Sequence, residues 1–400
     1  MHTLPATELE LAAWLRLSLA PGLKPAALRL LLVAFGLPQA LFEQSFDVLA
    51  GVAGEVAARA ALAPPGESFE AQLAAVLQWR EVPGNHVVTL DDPAYPSALL
   101  TMPDPPPLLY VKGRLELLHT NAIALVGSRS ATPQGVEDAE RFARDISEAG
   151  VTVVSGLALG IDGAAHRGGL AGVGGTVAVI GTGADLVYPA AHHALARQIA
   201  AQGAILSEWP LGTPARAANF PQRNRLIAGL VSGVLIVEAA MRSGSLITAR
   251  LANEMGRDIF ALPGSIHAPL SRGCHRMIKQ GAKLVETPDD VLEELGFSRR
   301  PAAPATDHAR SAAAQTALWD DSVVQHASAQ RPGAATRSAE ISVEGRKLLA
   351  ALGHAPATLE ILATRTEMED AALQAALLQL ELAGQITALT GGRFMRANPG

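Results

Sequence analysis

The chain has 400 residues, 49% of them apolar and only 18% charged, which excludes a disordered chain and supplies apolar material for two or three cores. Its 32 basic residues stand against 38 acidic ones, a formal charge of −6, so no global basic field draws in a polyanion and any such site must be a local patch. The single cysteine, Cys274, excludes an intrachain disulfide and a multi-thiolate metal centre and points to a reducing cytoplasm.

The start, MHTLPATELELAAWL, lacks a basic leader. The richest apolar stretch, LRLLLVAFGL at 28–37, is far short of the roughly 20 residues a membrane span needs. Residues 8–75 are rich in alanine and leucine with apolar spacing near 3.6, broken at Pro21-Gly22-Leu23-Lys24-Pro25, which predicts a small N-terminal helical domain over 1–78. The Pro-Gly-Leu-Lys turn is similar to a helix-hairpin-helix phosphate loop, though a plain interhelical turn is the favoured reading. Residues 81–110, with DDPAYPSAL and PDPPPLLYV, are proline-dense and read as an extended entry to the next unit.

From 122 to 297 short apolar runs alternate with amphipathic stretches, the pattern of a parallel sheet covered by helices. The expected strands are 122–126, 151–155, 176–180, 204–208, 233–238, 258–262 and 282–285. They make an α/β, extended Rossmann-like, doubly wound and mostly parallel sheet within a core domain over 79–297. About 40 residues of Ala, Pro, Ser and scattered charge follow, a flexible linker over 298–338. Periodic segments near 344–352, 358–364 and 369–383, then QITAL and RFMR around Thr390-Gly391-Gly392, predict a winged-helix domain over 339–400. Its third helix, EDAALQAALLQLEL, carries three acids and no Lys or Arg, which favours a protein-binding or structural role over duplex DNA.

The residues suited to chemistry sit at the carboxyl ends of the expected strands, where open α/β sheets place ligands. Gly127-Ser128-Arg129-Ser130 follows the first strand and precedes a helix at Pro133, an anion site in outline. It is not the dinucleotide fingerprint, because G-x-G-x-x-G is absent and no acid ends the second strand at Ser155. In SGLALGIDGAAHRG (155–168) the glycines, beginning at Gly156, let backbone approach a ligand. Asp162 is placed to cap the next helix and His166 to pack against it. An acid and base pair is the other reading, but no nucleophile stands beside them. The loop GTGADLVYP (181–189) reads as a tight turn or a further ligand loop.

The run TPARAANFPQRNRLIAGL interleaves Arg216, Arg223 and Arg225 with Phe220 and Asn224, a combination suited to a strand whose phosphates need charge and whose bases need a stacking face. Residues 122–297 hold 15 basic and 16 acidic side chains, so internal pairing competes for these arginines, and two of the three are expected to face the ligand. Finally Glu238 leads into Arg242, Ser243, Gly244, Ser245 and Thr248, another oxyanion cradle. It lacks the Gly-Lys-Ser/Thr ending of a P-loop, and no acidic cluster offers to hold Mg²⁺. Cys274 beside His275 reads as packing, at a subunit edge, rather than as a nucleophile.

Together Gly127-Ser128-Arg129, SGLALGIDGAAHRG, FPQRNRLIAGL (220–230), EAAMRSGSLITA (238–249) and GRDIFALPGS (256–265) resemble the DNA processing protein A family, also called DprA or Smf. The resemblance covers residues 80–297 strongly and the flanking domains more loosely. It implies a cytoplasmic binder of single-stranded DNA that protects incoming strands and helps load the RecA recombinase in transformation and homologous recombination. No catalytic turnover, cofactor or metal is implied. By the same resemblance Arg129 clamps a phosphate, Phe220 meets a base, Arg223 and Arg225 line or support the groove, and residues 155–156 and 243–245 complete its floor. Similar sequences often carry a lysine after the Tyr-Pro and another before the Phe-Pro. Here Ala190 and Ala217 stand there, with Arg216 adjacent to the second place and His192 and His193 beyond the first, so a modest affinity is expected. A homodimer is also implied, with Cys274, His275, Ile278 and Leu284 at or near its two-fold contact. The competing reading is a Rossmann-type nucleotide-binding enzyme of the phosphoribohydrolase and lysine-decarboxylase-like group. MRSGSLIT occupies the place of that group's Pro-Gly-Gly-x-Gly-Thr-x-x-Glu motif.

Overall fold

The seven apolar runs expected between 122 and 285 are seven parallel strands in a computed structural model, which describes residues 7–297, 342–352, 357–389 and 392–397. They are β3 (Ala122–Val126), β4 (Thr152–Ser155), β5 (Thr176–Val179), β6 (Ala204–Ser207), β7 (Gly233–Ile236), β8 (Asp258–Ala261) and β9 (Lys283–Leu284). Two more strands precede them, β1 (Asn85–Thr89) and β2 (Leu108–Gly113), in the stretch read as an extended entry. The dense prolines at 103–107 fall in the connection between β1 and β2, so they mask a pairing that they do not prevent.

The sheet runs β1-β2-β6-β5-β4-β3-β7-β8-β9. β1 pairs antiparallel with β2, and β2 antiparallel with β6. From β6 to β9 every pairing is parallel. The chain works outward from β3 through β4, β5 and β6, then returns to lay β7 on the other side of β3. That reversal is the topological switch point, and the helices after β3 and β7 diverge there to leave a crevice above the strand ends.

Because the parallel strands are covered on both faces, their sequences are continuous apolar runs whose side chains alternate between two cores. Ala124, Val126, Val154, Val179 and Ile236 pack on one face with Leu226, Ile227 and Leu246. Ile123, Leu125, Val153, Leu235 and Phe260 pack on the other with Phe142, Ile146 and Ala164.

Six helices between Glu8 and Arg80 precede the sheet, the first opened by a capping box between Thr7 and Glu10. The last of them, Phe69–Arg80, runs through the boundary drawn at 78/79. Trp14, Leu15, Phe69 and Val76 share one apolar cluster with Leu108 and Tyr110 of β2, and Trp79 meets Tyr110 edge to face at 5.9 Å. The described residues therefore divide into two units, 7–297 and 342–397, rather than at residue 78. The expected linker at 298–338 lies outside the described residues. Among those described, no helix is long and apolar enough to cross a membrane.

The second unit has helices Val343–Leu352, Leu359–Thr366 and Asp370–Leu382 and strands β10 (Ala357–Thr358), β11 (Ile386–Leu389) and β12 (Arg393–Arg396), with β12 between the other two. Leu348, Leu362, Leu373, Leu377 and Ile386 close its core. This is the winged-helix arrangement that the periodicity predicts.

Candidate functional site

A cleft of about 770 Å³ opens at the switch point, above the carboxyl ends of β3 and β7. Gly127, Ser128, Arg129, Phe220, Arg223, Asn224, Arg242, Ser243, Gly244 and Ser245 all line it, drawn from the loop after β3, the helix Asn219–Leu230 and the loop after β7. Ser155, Gly156, Arg216 and Arg225 do not line it. The wall also holds Thr248, expected in the oxyanion cradle, and Asp162 and Tyr188, which the sequence alone does not single out for binding.

Phe220 stands at the centre of the charged wall. The exposed guanidinium of Arg129 lies over its ring at 5.4 Å from the centroid, and that of Arg223 at 6.0 Å. Tyr188, half exposed, tilts against the same ring at 5.6 Å and 45°. Attraction between a cation and the negative ring face holds these groups together at little cost. Of the loop 181–189, read as a tight turn or a further ligand loop, Tyr188 is the residue that reaches the wall.

Arg223 differs from Arg129 in being buried, at 3% exposure. Its Nη1 donates to the Val179 carbonyl at 2.7 Å. The guanidinium passes so close to Gly156 that a Cβ there would sit 1.8 Å from Nη1, so Gly156 is required by its own protein's arginine rather than by a ligand. Burial draws the Arg223 pKa down to about 10, with the Asp162 carboxylate opposing the fall. The group still carries its charge at neutral pH.

The backbone of 155–158 is held from below. Ser155 Oγ donates to the Leu125 carbonyl at 2.6 Å. Gly156 and Ala158 donate their N–H groups to Asp162 Oδ2 at 3.2 and 3.3 Å. Asp162 is therefore no N-cap: it lies inside the helix Ile161–Ala171, whose cap is Gly160, and reaches back to the loop. Leu157, at φ +60° in the left-handed region, donates its N–H to His166 Nε2 at 3.2 Å. That leaves the imidazole proton on Nδ1, donated to Thr176 Oγ1 at 2.8 Å, and the hydroxyl donates on to Val153 O at 2.7 Å. Full burial holds the ring neutral, with its pKa down at about 3. The packing role expected for His166 is a hydrogen-bond relay that fixes a strained loop.

The N-termini of two helices in this region, Pro133–Glu148 and Ser245–Glu254, differ in whether a carboxylate fills them. At Pro133–Glu148 the Thr132 N–H and hydroxyl donate to Glu238 Oε2 and Oε1 at 2.9 and 2.6 Å, and a Cβ on Gly135 would fall 2.4 Å from the Glu238 carboxyl carbon. The anion site expected after β3 is thus filled by the protein's own carboxylate, which satisfies the helix end as an exogenous anion would. At Ser245–Glu254 the end is free of any acid. Gly244 is its N-cap and Ser243 Oγ lies 2.6 Å from Ser245 Oγ, so a hydroxyl pair lines the cleft, while the Ser245, Leu246 and Ile247 N–H groups donate to Ser243 Oγ, Ser243 O and Gly244 O.

Arg225 points the other way. It is paired with Glu208, and its Nη1 donates to the Asp104 carbonyl at 2.7 Å. Arg216 is exposed outside the cleft wall, so of the three arginines in this run Arg223 alone reaches it. Cys274 is fully buried beneath the Ile236 and Val237 carbonyls, its thiol pushed up to about 12 by burial, which removes it from any surface contact. His275 holds the Gly264 carbonyl at 3.0 Å, Ile278 is partly buried against the core, and Leu284 is 52% exposed.

A model of the family described as DNA recombination-mediator protein A matches residues 86–296, and one described as the DprA winged helix domain matches 332–392. The chain is 39% identical to protein Smf of Escherichia coli over 336 residues, covering 83% of each. It belongs to the DprA/Smf family. DNA processing protein DprA of Streptococcus pneumoniae is 49% identical over 208 residues, 52% of this chain and 73% of that one. The crystal structure of DprA from Streptococcus pneumoniae superposes with a TM-score of 0.61 at 38% identity, over 73% of this chain and 99% of that chain. Membership in a family of DNA-processing recombination mediators favours that reading over the nucleotide-enzyme alternative.

Proposed function

We propose that the switch-point cleft binds single-stranded DNA and that the chain holds such strands for transfer to a RecA-type recombinase. The observation that carries this reading is the balance of charge in the wall: Arg129, Arg223 and Arg242 against the one acid Asp162, in a chain whose net charge is −6. That acid is already spent on two backbone N–H groups. Beside the arginines stand the rings of Phe220 and Tyr188. A duplex hides its base faces in the stack, whereas an unpaired base can lie on an aromatic ring, worth ~1–3 kcal/mol. Arg129 and Arg242, both exposed, take phosphates, and Arg223 underlies the loop that forms the floor.

Anisotropy of a labelled oligo-dT over a salt series tests the reading, with duplex of equal length as competitor. Tight, salt-steep binding that duplex does not displace is the expected result. Equal affinity for duplex would sink the proposal. Homodimerisation through His275, Ile278 and Leu284, recombinase loading and strand protection belong to the same proposal. Sedimentation of Leu284→Arg and a strand-exchange assay with purified recombinase check the first two, nuclease protection the third. The third helix of the winged unit, with Asp370 and Glu381 and no basic residue, suits a protein partner better than a phosphate backbone.

A further inference from the structure

A second cavity, of about 360 Å³, adjoins the cleft and shares Arg242, Ser243 and Ile247 with it. Five basic side chains line it, Arg242, Arg250, Arg257, Arg276 and Lys283, against a single acid, Asp258. Lys283 already neutralises that acid at 2.8 Å and also holds Glu294. Arg257 is engaged with Thr101 Oγ1 and the Gly229 carbonyl. Arg242, Arg250 and Arg276 are exposed, and among the described residues none of them has an ion pair or a side-chain hydrogen bond. Exposed Arg114, Arg141 and Arg167 hold carboxylates elsewhere in the same unit, whereas Arg197, Arg216 and Arg272 form no ion pair among the described residues, so what sets the cavity apart is that three such guanidiniums share one concavity.

Three guanidiniums left without counter-charge in one concavity repel one another, and a chain of phosphates relieves all three at once. The apolar part of the lining is Met241, Leu246, Ile247, Ile259 and Met277, with no aromatic ring among them. This surface can hold a backbone but gives a base nothing to stack on.

We infer that the strand bound in the first cleft turns over Arg242 and continues into this second cavity, its phosphates tracked by Arg250 and Arg276. The inference rests on the single-strand reading of the first cleft and adds its direction of exit and a longer footprint. The first cleft contributes stacking and charge, the second charge alone.

The test compares the wild type with Arg250→Ala/Arg276→Ala on oligo-dT of about 6 and about 20 nucleotides, lengths that bracket the footprint of one binding module. Both positions are exposed. Because Arg276 lies between His275 and Ile278 of the proposed dimer contact, Arg250→Ala alone, expected to give about half the change in slope, separates the track from a lost dimer. Arg272→Ala, an exposed arginine outside both cavities, controls for lost charge. The expected result is unchanged affinity for the short oligonucleotide, about tenfold weaker binding of the long one, and a salt slope shallower by about 1.4 for two lost phosphate contacts. Wild-type affinity and slope at both lengths would overturn the track, as would an equal loss at both lengths or the same loss in Arg272→Ala. A wild type that binds neither length would overturn the first-cleft reading instead, and the track with it.

Discussion

At the scale of single residues, the two groups that meet at the cleft centre do different physical work. Arg129 offers charge to a phosphate and reads no base, so Arg129→Ala is expected to weaken binding of every sequence alike and to make the salt slope shallower by about 0.7. An unchanged slope in the anisotropy series would move the clamp elsewhere. Phe220→Ala removes a stacking face worth ~1–3 kcal/mol with few counterions released, so affinity falls about tenfold or more at nearly constant slope. Gly156→Ala is a different kind of change. Its methyl group meets Arg223 Nη1, and displacing a buried guanidinium costs about 1–3 kcal/mol of overpacking. A lowered midpoint in thermal denaturation together with lost binding is the expected outcome; a wild-type midpoint would show that Arg223 can move. Gly156 was legible as essential, but for a ligand's approach. The reason it is a glycine is intramolecular.

At the scale of elements, loop 155–158 and the helix Ile161–Ala171 form one device, braced by Asp162 and His166. Burial holds the His166 pKa at about 3 against the ordinary 6.5, so the folded state resists protonation more than the unfolded chain does. The stabilisation is therefore complete above about 6.5 and drains away as the pH falls toward 3. Melting midpoints of the wild type should drop through that window, and His166→Gln should begin lower at neutral pH but lose midpoint less steeply on acidification. Parallel curves would place the acid sensitivity in another group. The helix Pro133–Glu148 was legible as a helix, with Thr132 accepting from Gly135 N–H as its cap. That Glu238 fills its N-terminus was not. The two lie 106 positions apart, and only the pairing of β3 with β7 brings them together.

At the scale of the molecule, an acidic chain carries a locally basic cleft, so its DNA affinity should fall steeply with salt while its bulk charge repels nonspecific partners. Deleting 339–400 is expected to leave the oligo-dT salt slope unchanged, since every arginine proposed to meet a phosphate lies between Arg129 and Arg276; a shallower slope would assign contacts to the winged unit. The sequence by itself determined the seven parallel strands, nearly to the residue, because strands covered on both faces read as unbroken apolar runs. It also determined that the polar loops gather at one edge, because parallel strands share one carboxyl end. The antiparallel pair β1 and β2 escaped it, their prolines lying between the strands rather than within them. Tertiary structure alone decided which arginines reach the cleft. Arg223 and Arg225 stand two positions apart on one helix, about 200° around its axis, so one can pass under the ligand loop only if the other turns to Glu208 and Asp104.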